Sequence, residues 1–146
     1  MIVVSSCLLG KKCRYDGNDS LNAELVHELK QSGVDYFGLC PEVLGGLSVP
    51  RTACEIVGGA GREVLEGSAR ILNLDGQDVT VAFVRGAADA LRICKEREVT
   101  QACLKSRSPS CGYGEIHDGS FSGKLRTGNG VFAEFLKQNG VKVISV

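Results

Sequence analysis

A chain of 146 residues has the length of one compact domain, enough to bury roughly two-thirds of the surface its unfolded form exposes. Its 17 basic and 17 acidic side chains cancel, so it lacks the cationic footprint that draws in nucleic acid or anionic lipid. With no Trp and 5% aromatic residues it has few rings on which single-stranded bases would stack, and non-specific nucleic-acid binding is disfavoured.

The chain opens on Ile2-Val3-Val4, a β-branched run that stops at Ser5-Ser6 and predicts a short buried strand. It passes into polar residues and Gly instead of a signal-peptide core. No apolar run approaches the roughly 18 residues a membrane span needs, so the expectation is a cytoplasmic protein with no membrane contact. Cys7 follows the strand, a loop rich in Gly, Asp, Asn and basic residues runs from Gly10 to Asp19, and Leu21, Leu25 and Leu29 mark a helical stripe closed by Gly33. Val34 to Leu39 predicts a second strand, ended at Cys40-Pro41 because proline denies the ladder a donor.

From Glu42 to about Gly67 the chain is Gly-rich, and extended segments and turns are expected there instead of a long helix. Leu72 to Asp75 meets the turn signal Asp75-Gly76. Asp78 and Thr80 then offer caps for a helix whose stripe runs through Val84, Ala87, Ala88, Leu91 and Cys94, slightly weakened by Gly86. Val99 to Leu104 predicts a further strand, stopped by the loop Ser106 to Gly112, and His117-Asp118-Gly119 has the composition of a hairpin bend. Asn129 is placed to cap a last helix carrying Val131, Phe132, Phe135 and Leu136, which Gly140 ends before a final strand from Val141 to Val146. The alternation predicts one α/β domain over residues 1–146, Rossmann-like, with a mainly parallel sheet flanked by helices and a Gly-rich loop insertion.

The chemistry is suggested by seven cysteines without a secretion signal, an odd number that argues for thiols that bind metal, react, or sit reduced in the core. Cys7, Cys40 and Cys111 each lie just past the carboxyl end of a predicted strand. In an open α/β sheet that edge is where ligand sites are built, so topology would bring the three together. Three thiolates leave one coordination position open on a metal centre. The competing reading is three unrelated thiols, since no CxxC pair is present. Cys94 and Cys103 lie on apolar stripes and read as core. Cys13 fits a fourth ligand, a resolving thiol or a buried side chain, and Cys54 has no assigned role.

The motifs Ser5-Ser6-Cys7-Leu8-Leu9-Gly10 with Cys13-Arg14-Tyr15-Asp16-Gly17, Cys40-Pro41-Glu42-Val43-Leu44-Gly45-Gly46-Leu47 with Pro50-Arg51, and Leu104 through Cys111-Gly112 resemble those of the bacterial thiouracil desulfurase family. Asp78-Val79-Thr80, Asp118-Gly119-Ser120-Phe121 and Gly128-Asn129-Gly130 extend the resemblance over nearly the whole chain, with Ser20 standing where a lysine is expected.

The resemblance implies an oxygen-sensitive 4Fe-4S cluster held by Cys7, Cys40 and Cys111, whose fourth iron takes the sulfur of a thiolated base. The implied reaction is non-redox, replacing the thiocarbonyl sulfur of a 2-thiouracil-like pyrimidine by oxygen with sulfide release. A soft sulfur suits an open iron, whose Lewis acidity favours attack by water on the ring carbon. Glu42, two residues past one ligand, is then the candidate general base or proton donor, against the reading of a solvated carboxylate. Ser108 is a candidate hydrogen-bonding group, although Ser-Pro-Ser is also ordinary turn chemistry. The loop cations Arg14, Arg51, Lys105 and Arg107 are expected to offset the site's negative charge. The alternative function is a cluster-binding or sulfur-carrier protein without pyrimidine turnover.

Two other motifs fail. Gly128-Asn129-Gly130-Val131-Phe132-Ala133 fits a dinucleotide fingerprint, but too little chain follows to supply its acidic residue, and helix capping explains it better. Glu24 and His27 are spaced as a surface helical pair, without further ligands for a metal.

Overall fold

The β-branched N-terminus becomes an inner strand because both of its faces are covered. A computed structural model describes all of Met1–Val146. In it β1 (Ile2–Ser5) pairs in parallel with β2 (Tyr36–Leu39) on one side and with the strand Gln101–Leu104 on the other, which in turn pairs in parallel with Lys142–Ser145. Alternation sends Ile2 and Val4 to one face with Leu8, Leu29 and Cys103, and Val3 to the other with Ala102 and Leu104. The first face is closed by α1 (Ala23–Ser32), capped by the Asn22 side chain accepting from the Leu25 N–H at 2.9 Å. Leu21 therefore falls before the helix and is exposed, so the buried stripe begins at Leu25 and not at Leu21.

Between β2 and the long helix the chain is built from short pieces: α2 (Pro41–Leu44), β3 (Cys54–Val57), α3 (Gly61–Glu66) and β4 (Arg70–Asn73), with β3 and β4 antiparallel. The expectation of extended segments and turns missed two short helices here. Pro41, read as a strand stop, also occupies the first helical turn, where its missing N–H costs nothing. The long helix α4 (Thr80–Glu96) buries Phe83, Ala87, Ala90 and Cys94. Thr80 does not cap it through its side chain; its hydroxyl accepts from the Ile71 N–H at 2.9 Å and ties α4 to β4.

The sheet strands 101–104 and 142–145 are β5 and β8, giving the order β2-β1-β5-β8. Between them come the hairpin β6 (Glu115–His117) and β7 (Leu125–Thr127) and the helix α5 (Val131–Gln138). Asn129 does not cap α5. Its amide instead accepts from the Gly114 N–H at 2.8 Å and donates to Glu134 at 3.2 Å, while Gly130 holds the cap position. The first N–H groups of α5 go to loop carbonyls: Val131 to Pro109 at 2.8 Å, Phe132 to Ser110 at 2.9 Å and Ala133 to Ser110 at 3.1 Å. The apparent fingerprint at Gly128 to Ala133 thus anchors the loop that carries Cys111.

The one-turn helix α2 lies on α4 through two glycines. A Cβ on Gly86 would stand 1.9 Å from the Pro41 carbonyl oxygen, and one on Gly45 would stand 2.1 Å from that of Ala82. Gly86 is therefore a contact between backbones and not only a weak point of the helix. In an open helix Gly86→Ala would gain about 1 kcal/mol of propensity. Here it is expected to lose about 1–3 kcal/mol net, as overpacking does, which chemical denaturation will read as a lowered midpoint.

Candidate functional site

Past the carboxyl ends of β1, β2 and β5 the sheet opens onto a cavity of about 420 Å³. Five of the seven cysteines line it: Cys7, Cys13, Cys40, Cys54 and Cys111. Its position is the switch point of the topology, where the chain leaves β2 on one side of β1 and returns to β5 on the other. Cys7 sits in the 3-10 turn Ser6–Leu9 directly after β1, Cys40 is the residue before α2, and Cys111 lies in the loop anchored by α5. All seven thiols are free. No three His, Cys, Asp or Glu side chains close around a single ion.

Burial dominates the ionisation of these thiols. It pushes Cys7 up, helped by Cys40 and opposed by the Lys105 and Arg14 cations. It pushes Cys111 up to about 12, opposed by hydrogen bonding from Ser5 and Ser110. Cys40 runs the other way, lowered below the ordinary thiol range by its interaction with the Cys13 side chain and by the Val43 N–H, and its thiol lies 3.9 Å from the Cys13 carbonyl. The same interaction raises Cys13. Cys54 is pushed up to about 11 by burial and by the Glu42 carboxylate, and its thiol lies 3.3 Å from the Thr52 carbonyl.

Glu42 leaves the first turn of α2 and turns into the cavity, its side chain 13% exposed. Arg51 grips Oε1 with two donors, Nε at 3.1 Å and Nη2 at 2.9 Å. The guanidinium also donates to the carbonyls of Cys13 and Ser48, each at 3.1 Å. Glu42 Oε2 accepts from the Ser110 hydroxyl at 2.6 Å. Ser110 is 1% exposed and its Oγ lies 3.8 Å from Cys111 Sγ, so one hydroxyl touches both the carboxylate and a strand-end thiol. Ser108 Oγ accepts from the Cys111 N–H at 2.7 Å and lies 3.3 Å from Ser110 Oγ.

The family model for 2-thiouracil desulfurase matches residues 2–146. The chain belongs to that family. It is 48% identical over 145 residues to the Bacillus subtilis (strain 168) protein YbbK, covering 99% of this chain and 95% of that protein. Among solved structures it is similar to the 4Fe-4S-dependent thiouracil desulfidase TudS, with a TM-score of 0.84 and 37% identity over 99% of this chain and 89% of that one.

In this desulfurase-family chain Cys7, Cys40, Cys111, Glu42 and Ser108 all line one cavity. It also separates roles that spacing left together. Arg51 spends its donors on Glu42 and two carbonyls, so it orients a carboxylate and is not a free counter-charge. Lys105, Arg14 and Arg107 line the cavity. The sequence singles out Ser108 of Ser-Pro-Ser as the hydrogen-bonding candidate, whereas the hydroxyl that reaches Glu42 is that of Ser110.

In metal-free, reduced protein, alkylation by iodoacetamide is expected to modify Cys40 first, its rate rising with pH through a midpoint below the ordinary thiol range. Cys13→Ala removes the side chain that favours the thiolate, so the midpoint moves up and the rate at pH 7 falls. Peptide mapping of the labelled protein reads both results.

Proposed function

We propose that residues 1–146 form one enzyme domain that removes sulfur from 2-thiouracil or a close thiolated pyrimidine, adding water and releasing uracil and sulfide. The observation that carries the reading is the Ser110–Glu42–Arg51 chain of hydrogen bonds beside Cys111, within the cavity shared by the three strand-end thiols. That the reaction needs no external oxidant or reductant follows from its balance: one thiocarbonyl and one water give one carbonyl and one hydrogen sulfide.

The donor set suits a 4Fe-4S cluster. Cys7, Cys40 and Cys111 enter one cavity from three different segments, and Cys40 lies close enough to both of the others to raise their ionisation cost. Lys105 and Arg14 face Cys7 and offset negative charge there. Held by these three cysteines, the cluster supplies an open iron whose Lewis acidity suits a soft thiocarbonyl sulfur.

The protein's own groups do the proton work. Glu42 takes a proton from the water that attacks the ring carbon, and Arg51 fixes the carboxylate on one side so that Oε2 faces the reacting centre. Ser110 donates to Oε2 and is placed to pass a proton between the carboxylate and the departing sulfur. Ser108 acts through the others, holding the Cys111 backbone and the Ser110 hydroxyl in place. Seven reduced thiols suit a reducing compartment, and the proposed location is cytoplasmic. No helix is long and apolar enough to cross a membrane.

Anaerobic purification, iron and acid-labile sulfide analysis, and loss of 2-thiouracil absorbance test the reading together. About four irons per chain with sulfide release supports it, whereas a cluster without turnover favours a carrier. Cys7→Ser, Cys40→Ser and Cys111→Ser are each expected to lower cluster content sharply. Glu42→Ala should keep the cluster and lower kcat by about 10²–10⁴. Ser110→Ala should also lower kcat with the cluster retained. Full turnover in either variant removes that residue from the mechanism.

A further inference from the structure

We propose that Cys13 and Cys40 are an oxidation site: in cluster-free protein a peroxide links them in a reversible disulfide, which masks one proposed cluster ligand and spares it deeper oxidation. The pairing stands on the geometry of the two thiols, and only its effect on iron uptake rests on the desulfurase reading. By sequence Cys13 fits a fourth ligand, a resolving thiol or a buried side chain; its surroundings favour the second. Both thiols are free and line the same cavity. The Cys40 thiol lies 3.9 Å from the Cys13 carbonyl oxygen, and the two side chains interact directly. Cys7 and Cys111 feel Cys40 only through its charge.

One side chain holds both segments in place. Arg51 Nη2 donates to the Cys13 carbonyl at 3.1 Å and to Glu42, two residues past Cys40, at 2.9 Å, while the Arg51 N–H donates to the Tyr15 carbonyl at 2.8 Å. The thiols therefore meet before any oxidant arrives. Access separates their roles: Cys40 is partly exposed at the cavity, where a small peroxide reaches it, and Cys13 is 3% exposed and meets it from within. The Cys40 sulfur attacks one peroxide oxygen, the O–O bond breaks, a sulfenic acid forms, and one water leaves with the thiol's proton. The Cys13 sulfur then attacks the Cys40 sulfur, the S–O bond breaks, the disulfide forms, and the hydroxyl leaves as water with the Cys13 proton. Two thiols are oxidised together, and one hydrogen peroxide is reduced to two waters.

The test treats metal-free, reduced, full-length protein with hydrogen peroxide, caps the remaining thiols and maps the digest by mass spectrometry without reductant. The expected product is a monomer lighter by two hydrogens, with Cys13 linked to Cys40 and the link opened by dithiothreitol. On anaerobic reconstitution the oxidised protein should lose iron uptake, and reduction should restore it. Cys13→Ser is expected to load iron like the parent before oxidation. After peroxide it should carry sulfinic acid at Cys40, and dithiothreitol should no longer restore iron uptake. A link from Cys40 to Cys7 or Cys111, or sulfinic acid at Cys40 of the parent with Cys13 still free, overturns the pairing. Loss of iron from unoxidised Cys13→Ser makes Cys13 a ligand and overturns its resolving role. The mapped link with undiminished iron uptake upholds the pairing and overturns Cys40 as a cluster ligand.

Discussion

The Glu42 carboxylate is the knot of the site. One oxygen is held by Arg51, nine residues on, and the other by Ser110, sixty-eight residues on, so three segments that share no local sequence meet at one group. The Glu42 and Arg51 side chains are only 13% and 7% exposed, which makes their pairing obligatory: removing one partner strands a charge in a poorly solvated place, at about 3–5 kcal/mol for buried pairs. Arg51 extends the constraint to the Cys13 and Ser48 carbonyls, and thereby to the loop after β1. The backbone beneath is fixed by contact, since α2 can carry Glu42 there only because Gly45 and Gly86 let it lie against α4.

The thiols around this knot are tuned by what surrounds each sulfur. Burial pushes Cys111 and Cys94 up to about 12 and Cys54 up to about 11. A thiol whose folded pKa lies above its unfolded one adds stability that is complete below the ordinary thiol range and disappears as pH climbs through the folded value. Cys40 has the opposite sign: its depressed pKa adds stability above the ordinary range, and that contribution declines as pH falls through the depressed value. Deprotonating Cys7 and Cys111 works against the pull of burial, while Cys40 gives up its proton more readily. The cations beside Cys7 oppose that pull at one of the two.

Much of this was legible in the chain. Ile2-Val3-Val4 and the proline after Cys40 placed two strand ends, the loop after Leu104 placed a third, and parallel topology then required Cys7, Cys40 and Cys111 to share an edge. What escaped depended on distance across the fold. Nothing local to Pro41 says that it both ends β2 and starts a helix. Gly86 looked like a flaw in α4 because the chain that lies against it is forty residues away. Asn129 looked like a cap because Asn before an apolar stripe often is one; the Pro109 and Ser110 carbonyls had already taken the N–H groups it would have served. Arg51 and Arg107 are alike as sequence, and only the carboxylate beside Arg51 separates their roles.

Cys13 and Cys54 line the same cavity but sit among different neighbours. Cys13 is as buried as Cys7; its interaction with the Cys40 side chain holds its thiol protonated, and its carbonyl accepts from Arg51 and from the Cys40 thiol. Cys54 stands beside the Glu42 carboxylate with its thiol on the Thr52 carbonyl, so a thiolate there would face a like charge as well as desolvation. Cys40 and Cys111 also face the Glu42 carboxylate, so what distinguishes the three strand-end cysteines is the groups on their other side. Cys7 has cations facing it, Cys40 has donors, and Cys111 has two hydroxyls, so each has something nearby that favours the charged sulfur a metal requires.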